Sequence, residues 1–189
     1  MYMVIVWDYF GVIADDAFWY TAQEIAATHG FSDELSRASV AVNKGTLSWE
    51  DFCQEVAEDT GIPYEEVVQL YNQHNINKHA VLAIKNLKKQ YRHVLLSNAS
   101  HTHLLPLLEK LGLNVLFDDI FVSSLIGYAK PDPRSFLHVL HSCDIDADQA
   151  ILIDDMARNC EAALSVGMNA ITYSENTDIH KELQKFTAH

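Results

Sequence analysis

Five short apolar runs punctuate the chain: Tyr2–Trp7, His93–Leu96, Ile120–Ser123, Ala150–Ile153 and Ala170–Tyr173. Each is close to continuously apolar or β-branched and none alternates, the pattern of strands buried on both faces. Between the later runs apolar residues recur at helical spacing. One segment carries Val81, Ile84, Leu87 and Tyr91, and another carries Leu104, Leu108 and Leu111 and stops at Gly112. Phe136, Leu137 and Leu140 mark a third, and Ala162, Ala163 and Val166, stopped by Gly167, a fourth. Strands alternating with helices of this length predict an α/β fold, a Rossmann-like parallel sheet with helices on both faces and right-handed crossovers.

One interval breaks the alternation. From about Asp15 to Asn77 no strand-like run occurs, only helical patterns. Phe18, Tyr20, Thr21, Ile25 and Ala26 suggest one helix. Ser48 with Asp51 resembles a capping box opening a second, which carries Phe52 and Val56 and stops at Gly61. Pro63 then starts a third, with Glu65 and Glu66 in the first turn where acidic residues suit the helix dipole. Residues 1–14 and 78–189 are therefore expected to form the α/β core. Residues 15–77 are expected to form a small all-helical cap over the strand ends, extra packing on the sheet edge being the alternative.

Length and composition narrow the picture. With 189 residues, 49% of them hydrophobic and 21% charged, the chain has enough apolar surface for a single core with a subdomain. Thirteen Lys and Arg against 26 Asp and Glu leave a net charge of −13, which disfavours nucleic acid and anionic membranes as partners. No stretch approaches the ~18 consecutive apolar residues of a membrane span, and the first apolar run lacks a preceding basic region, so it reads as a strand and not a signal peptide. Cys53, Cys143 and Cys160 are odd in number and widely spaced, which argues against a disulfide framework. A cytoplasmic monomer or homodimer acting on a small molecule is the expectation.

In open α/β sheets ligands sit outside the carboxyl ends of the strands. After the first predicted strand comes Asp8, then Tyr9-Phe10-Gly11-Val12. After the second come Ser97 and Asn98. The loop after the third holds Gly127, Lys130 and Pro131, and after the fourth come Asp154 and Asp155, with Asn159 a turn later. Parallel topology would gather three carboxylates, a hydroxyl, an amide and a lysine along one sheet edge. Three neighbouring carboxylates repel unless a divalent cation sits among them, and oxygen ligands suit Mg²⁺. Lys130 could neutralise a carboxylate and a substrate phosphate together, and Ser97 with the amides after it could hold phosphoryl oxygens. A carboxylate nucleophile such as Asp8 would then form an aspartyl-phosphate.

These residues resemble the four motifs of the haloacid dehalogenase superfamily, in its members with a small helical cap between the first two motifs. Val4 to Val12 resembles the strand followed by Asp-x-Asp-Gly-Val. Val94-Leu95-Leu96-Ser97-Asn98 resembles the second motif, Gly127 to Pro133 the lysine motif, and Ile151-Leu152-Ile153-Asp154-Asp155 the acidic motif. All four occur in order and at strand ends, over the whole chain. The resemblance implies a Mg²⁺-dependent phosphatase acting on a small phosphorylated metabolite. It makes Asp8 nucleophile and metal ligand, and gives the Phe10 backbone carbonyl, Asp155 and Asp154 to the metal. Ser97 and Asn98 would hold the phosphoryl group and Lys130 would stabilise its charge.

One position departs from the pattern. The family's second aspartate, which protonates the leaving oxygen and later activates water, is Phe10 here. General acid–base help is worth roughly 10²–10⁴-fold, so its loss favours good leaving groups or leaves a slow enzyme. It also motivates a non-catalytic, phosphate-sensing or partner-binding protein as an alternative. A 2-haloacid dehalogenase is the second alternative, opposed by the acidic pair Asp154-Asp155, which those metal-free enzymes lack. Lys44, in the loop Val42 to Thr46, reads equally as a substrate contact from the cap or as a charged turn. His101 is a remote candidate to replace the missing acid. His138 and His141 share a helix face but lack a third ligand for zinc.

Overall fold

The computed structural model describes residues 3–15, 27–28 and 33–187. The helix expected around Phe18–Ala26 lies outside them. Five strands form one parallel sheet: β1 (Val4–Trp7), β2 (Arg92–Ser97), β3 (Asp119–Val122), β4 (Ala150–Asp154) and β5 (Asn169–Thr172), in the order β3-β2-β1-β4-β5. Each falls on one of the five apolar runs. The inner strands β1 and β4 are buried throughout, but β3 and β5 are half-exposed because each lacks a neighbour on one side.

Alternate residues of the sheet feed two cores. Val4, Val6, Val94, Leu96 and Leu152 point to one side, against Phe136, Val139 and Leu140 of α7 (Pro133–Cys143) and Cys160 and Ala163 of α8 (Ala157–Ser165). Ile5, Trp7, Leu95, Ile151 and Ile153 point to the other. There they meet Ile84 and Leu87 of α4 (Lys78–Leu87), Leu104 and Leu108 of α5 (His101–Lys110), and Leu183 of α9 (Ile179–Thr187). A short helix, α6 (Ser123–Ile126), follows β3 directly. Helices thus cover both faces, and the α/β class predicted from the runs is the one observed.

Between β1 and β2 lie α1 (Asp33–Asn43), α2 (Trp49–Thr60) and α3 (Tyr64–Tyr71), which pack on a third cluster containing Val42, Trp49, Phe52, Val56, Val67 and Tyr71. The expected punctuation is present. The Ser48 hydroxyl accepts from the Asp51 N–H at 3.0 Å, and Gly61, at φ +74°, closes α2 with its N–H on the Ala57 carbonyl. The two connections to the sheet run side by side. Ala14 pairs with Ile76 antiparallel, and the Asn75 main-chain and side-chain N–H groups donate to the Asp15 carboxylate at 2.9 and 2.7 Å. Among the described residues no helix is long and apolar enough to cross a membrane.

One contact inside the sheet ties stability to pH. The Trp7 indole N–H donates to His93 Nδ1 at 2.9 Å across the β1–β2 pair, with both rings fully buried. Burial, the largest influence, lowers the His93 pKa below its usual 6.5, so the folded protein holds a neutral ring. Below about pH 6.5 the unfolded chain takes up a proton that the folded chain refuses, and stability is lost as pH falls. Thermal unfolding between pH 7.5 and 5 is expected to show this decline. His93→Asn, which keeps an acceptor for the indole, should decline less steeply; identical slopes would mean that His93 does not contribute.

Candidate active site

β1 lies between β2 and β4, and the chain order reverses direction beside it, so a crevice opens at the carboxyl ends of β1 and β4. Trp7 is level with Ile153, which sets Asp8 beside Asp154, and the Asp8 N–H extends the ladder to the Ile153 carbonyl at 2.9 Å. Lys130 reaches between the two. Its ammonium is 2.8 Å from Asp8 Oδ1 and 2.6 Å from Asp154 Oδ2, and its side chain is 1% exposed. One carboxylate oxygen from each of Asp8, Asp154 and Asp155 lies within 4.8 Å of the other two. Four groups from three sequence-distant segments are brought together as the strand-end argument anticipates.

Each group has its own support. Asp8 Oδ1 also accepts the Tyr9 N–H at 2.7 Å. Asp154 Oδ1 accepts the Met156 N–H and the Asn159 side-chain amide, both at 2.9 Å. Asn98 accepts the Lys130 N–H on Oδ1 and donates from Nδ2 to the Lys130 carbonyl, both at 2.8 Å. Its side chain is therefore a brace for the lysine, a role that the sequence did not suggest. Asp155 is placed by Gly11, which has φ +82° and offers only a bare α-carbon. A Cβ there would stand 2.4 Å from the Asp155 carboxylate. The Ser97 hydroxyl, at the end of β2, is fully buried without a hydrogen-bond partner.

The charges distinguish the carboxylates. Burial raises the Asp8 carboxyl well above the usual range, and the neighbouring Asp154 adds to this against the pull of Lys130. For Asp154 burial also pushes upward, but the Lys130 ammonium and the donors from Met156 and Asn159 outweigh it and hold the group low. Burial and then the Asp154 charge raise Asp155. Lys130 is kept charged by Asp8 and Asp154 in spite of its burial. One ammonium among three carboxylates leaves an excess of negative charge equal to one divalent cation. The spacing is close to the ~4 Å that separates oxygens on opposite sides of Mg²⁺. The residues fit that ion.

The remaining expected residues are less central. Phe10 follows at the loop after β1, its ring half-buried against Tyr9 (centroids 4.9 Å) and His74 (5.8 Å). His74 is the ionisable side chain that sequence reading overlooked. Both its ring nitrogens are buried without partners, and burial lowers its pKa. Lys44 is exposed beyond the end of α1, where its charge bears on Asp132. The His101 ring meets Ser124 Oγ at 3.1 Å and is not drawn toward Phe10. His138 packs edge-on to Phe121.

Similarity to known proteins agrees with this geometry. Residues 2–167 match the family model of haloacid dehalogenase-like hydrolases, and the chain belongs to that family. It is 39% identical over 70 residues to the sesquiterpene phosphatase astK of Aspergillus oryzae, covering 37% of this chain and 36% of that one. It is 29% identical over 156 residues to acyl-CoA dehydrogenase family member 10 of Mus musculus, covering 75% and 14%. The matched stretches thus span about a third or less of these relatives' own lengths. Among solved structures, an enzyme of the family from Bacteroides thetaiotaomicron, bt-2542, in complex with magnesium and inorganic phosphate superposes with a TM-score of 0.78. It shares 20% identity over 96% of this chain and 99% of that one, which shows the shared fold.

Asn98 offers a direct test of the lysine brace. Asn98→Ala leaves the Lys130 N–H and carbonyl without their partners and is expected to cost about 1–3 kcal/mol in urea unfolding. Asn98→Asp retains the acceptor and should recover part of that loss. Equal stability in all three proteins would show that the brace contributes nothing.

Proposed function

We propose that this chain is a Mg²⁺-dependent hydrolase of small phosphomonoesters that works through an aspartyl-phosphate on Asp8. The observation that carries the reading is the buried Lys130 ammonium, shared at 2.8 and 2.6 Å between Asp8 and Asp154 with Asp155 completing the cluster. A dehalogenase has no use for the surplus negative charge of that cluster.

The Tyr9 N–H and Lys130 both hold Asp8 Oδ1, which orients the carboxylate and leaves Oδ2 to attack phosphorus. Attack forms the Oδ2–P bond and breaks the bond to the alcohol oxygen, which departs with its electron pair. Lys130 and the Ser97 hydroxyl donate to the phosphoryl oxygens as charge builds on them. Bound to Asp8, Asp154, Asp155 and the Phe10 carbonyl, Mg²⁺ would supply further neutralisation of that charge. Water then cleaves the aspartyl-phosphate at phosphorus, releasing inorganic phosphate and restoring Asp8. Phe10 can neither protonate the departing oxygen nor activate the water, so the first step depends on the leaving group and the second is slow. Phosphorylated small metabolites are the proposed substrates, and phosphatases stand among the relatives.

Phosphate release from an aryl phosphate and from a panel of sugar phosphates tests this. Release should require Mg²⁺, stop with EDTA and be abolished in Asp8→Asn; turnover that ignores EDTA or survives Asp8→Asn would falsify the assignment. Tight binding of beryllofluoride with Mg²⁺, without turnover of any substrate, would instead identify a phosphate-sensing protein.

The rate constant kcat/KM should fall steeply as leaving-group pKa rises. Phe10→Asp should then gain activity on alkyl phosphates, by less than the ~10²–10⁴-fold of a well-placed acid because the pocket fits a ring. A flat dependence with no gain in the variant would show that another residue supplies the proton.

A further inference from the structure

In an in-line displacement at phosphorus the leaving oxygen lies opposite the attacking one. Asp8, Lys130 and Asp154 stand at the strand ends, so the organic group of a phosphoester bound there points away from the sheet, toward the loop after β1 and the helical insert. Three half-buried rings stand on that side. Phe10 is in the loop itself. His74 lies in the connection from α3 to α4, and its ring centroid is 5.8 Å from that of Phe10 and 6.1 Å from that of His103, in the first turn of α5. Phe10, His74 and His103 thus form one continuous row.

The row is held from behind. The His103 ring lies flat on Trp49, the first residue of α2, with centroids 4.0 Å apart and planes 10° from parallel, and its Nε2 is 3.2 Å from Asn72 Oδ1. Trp49 is itself packed on Phe52 and Tyr71 in the core of the insert. The insert is tied to the sheet by Ser123, whose hydroxyl accepts the Ala99 N–H at 3.0 Å and donates to the Asn43 carbonyl at 2.5 Å. Burial holds the His74 pKa below its usual 6.5 and, with the nearby His74, lowers that of His103 to about 4. Both rings are therefore uncharged at neutral pH, and the row presents neutral ring surface.

Its polar atoms are unused. Both ring nitrogens of His74 are buried without a partner among the described residues, as is the hydroxyl of Tyr9, whose ring meets His74 edge-on at 6.4 Å. A neutral imidazole carries one N–H donor and one acceptor, and leaving such groups buried and unpaired is costly. A ligand hydroxyl, itself donor and acceptor, removes that cost. Phe10 adds a second requirement, because a departing oxygen that it cannot protonate must be stable as an anion. A phenolate satisfies this by spreading its charge into the ring, and the same ring is flat. We infer that Phe10, His74 and His103 are the surface that receives the organic group of the substrate, and that this group is a phenol bearing a second hydroxyl. The position of phosphorus is taken from the reading above; the choice of a ring rests on these side chains. Attack by Asp8 forms the Oδ2–P bond and breaks the bond from phosphorus to the phenolic oxygen, and the phenolate leaves with the electron pair and takes its proton from solvent.

Two comparisons on the full chain test the ring surface. With Mg²⁺, kcat/KM for phenyl phosphate should exceed that for hexafluoroisopropyl phosphate, whose leaving alcohol is about as acidic as phenol but has no ring, by about 10- to 100-fold, chiefly through KM. Resorcinol monophosphate should gain a further factor of about 3 to 10 over phenyl phosphate. His74→Phe should keep the preference for a ring and lose the gain from the hydroxyl, and His103→Ala should weaken the preference for a ring. The second comparison needs no turnover. In calorimetry with Mg²⁺, benzylphosphonate should bind about 10-fold more tightly than cyclohexylmethylphosphonate, which has similar bulk without a flat face. Equal kcat/KM for the two matched esters, equal affinity for the two phosphonates or binding of neither would overturn the ring surface. A resorcinol gain that survives His74→Phe would overturn the role of His74. Hydrolysis of none of the esters, with benzylphosphonate still preferred, counts against the Asp8 chemistry and leaves the ring surface standing.

Discussion

The chemistry of this molecule depends on keeping one ammonium buried between two carboxylates. Lys130 and Asp154 have side chains that are 1% and 0% exposed, and stripping such groups of water costs several kcal/mol each. The cost is met by geometry and not by the ion pair alone. Asp154 carries donors from Met156 and Asn159, and Asn98 clamps both main-chain groups of Lys130. These supports come from the residue after β2 and from the start of α8 just after β4, so the sheet must be assembled before the lysine has a place to go. The pairing of β1 with β4, which levels Asp8 with Asp154, is the structural condition for the whole arrangement.

That pairing is a consequence of hydrophobic patterning. A strand with apolar residues on both faces is stable only in the middle of a sheet covered by helices, and β1 is such a strand, feeding Val4 and Val6 to one core and Ile5 and Trp7 to the other. Once it is central, its neighbours on both sides deliver their carboxyl ends to the same crevice. Polar residues at those ends, where no further ladder bond is required of the side chain, are free to do chemistry. The apolar strands and the charged site therefore have one explanation.

This is why the fold, and the gathering of charged residues at one sheet edge, were readable from sequence, and it also explains what was not. Periodicity reports burial along a single element, so the five strands and the helices of the α/β core could be placed from their own residues. Asp8, Ser97, Lys130, Asp154 and Asp155 stood out because each ends a strand or lies in the connection after one. Contacts between elements leave no such mark. Asn98 reads as a helix cap or a phosphate ligand, and only the structure shows both ends of its side chain on Lys130. Ser123 looks like the end of a strand, and His74 and His103 look like ordinary surface histidines. Their roles depend on where the insert rests, which no local pattern encodes. Burial on both faces was over-read for β3 and β5, because an apolar run does not state whether its strand lies at an edge.

Phe10 joins the two halves of the argument. In the position that the family gives to an acid, its ring turns toward the connection to the insert and packs with Tyr9 and His74. A carboxylate placed there would face two rings and lose its water without gaining a donor, a cost of the kind that raises its pKa or displaces it. The substitution is thus not an isolated loss within an otherwise standard site. On the function proposed above, the charged residues on the sheet side remain complete, whereas the position of the family's acid is given over to apolar contact with Tyr9 and His74. What the site gives up in acid–base chemistry it exchanges, on that same proposal, for packing against His74, and its substrates would be those whose leaving oxygen needs no help.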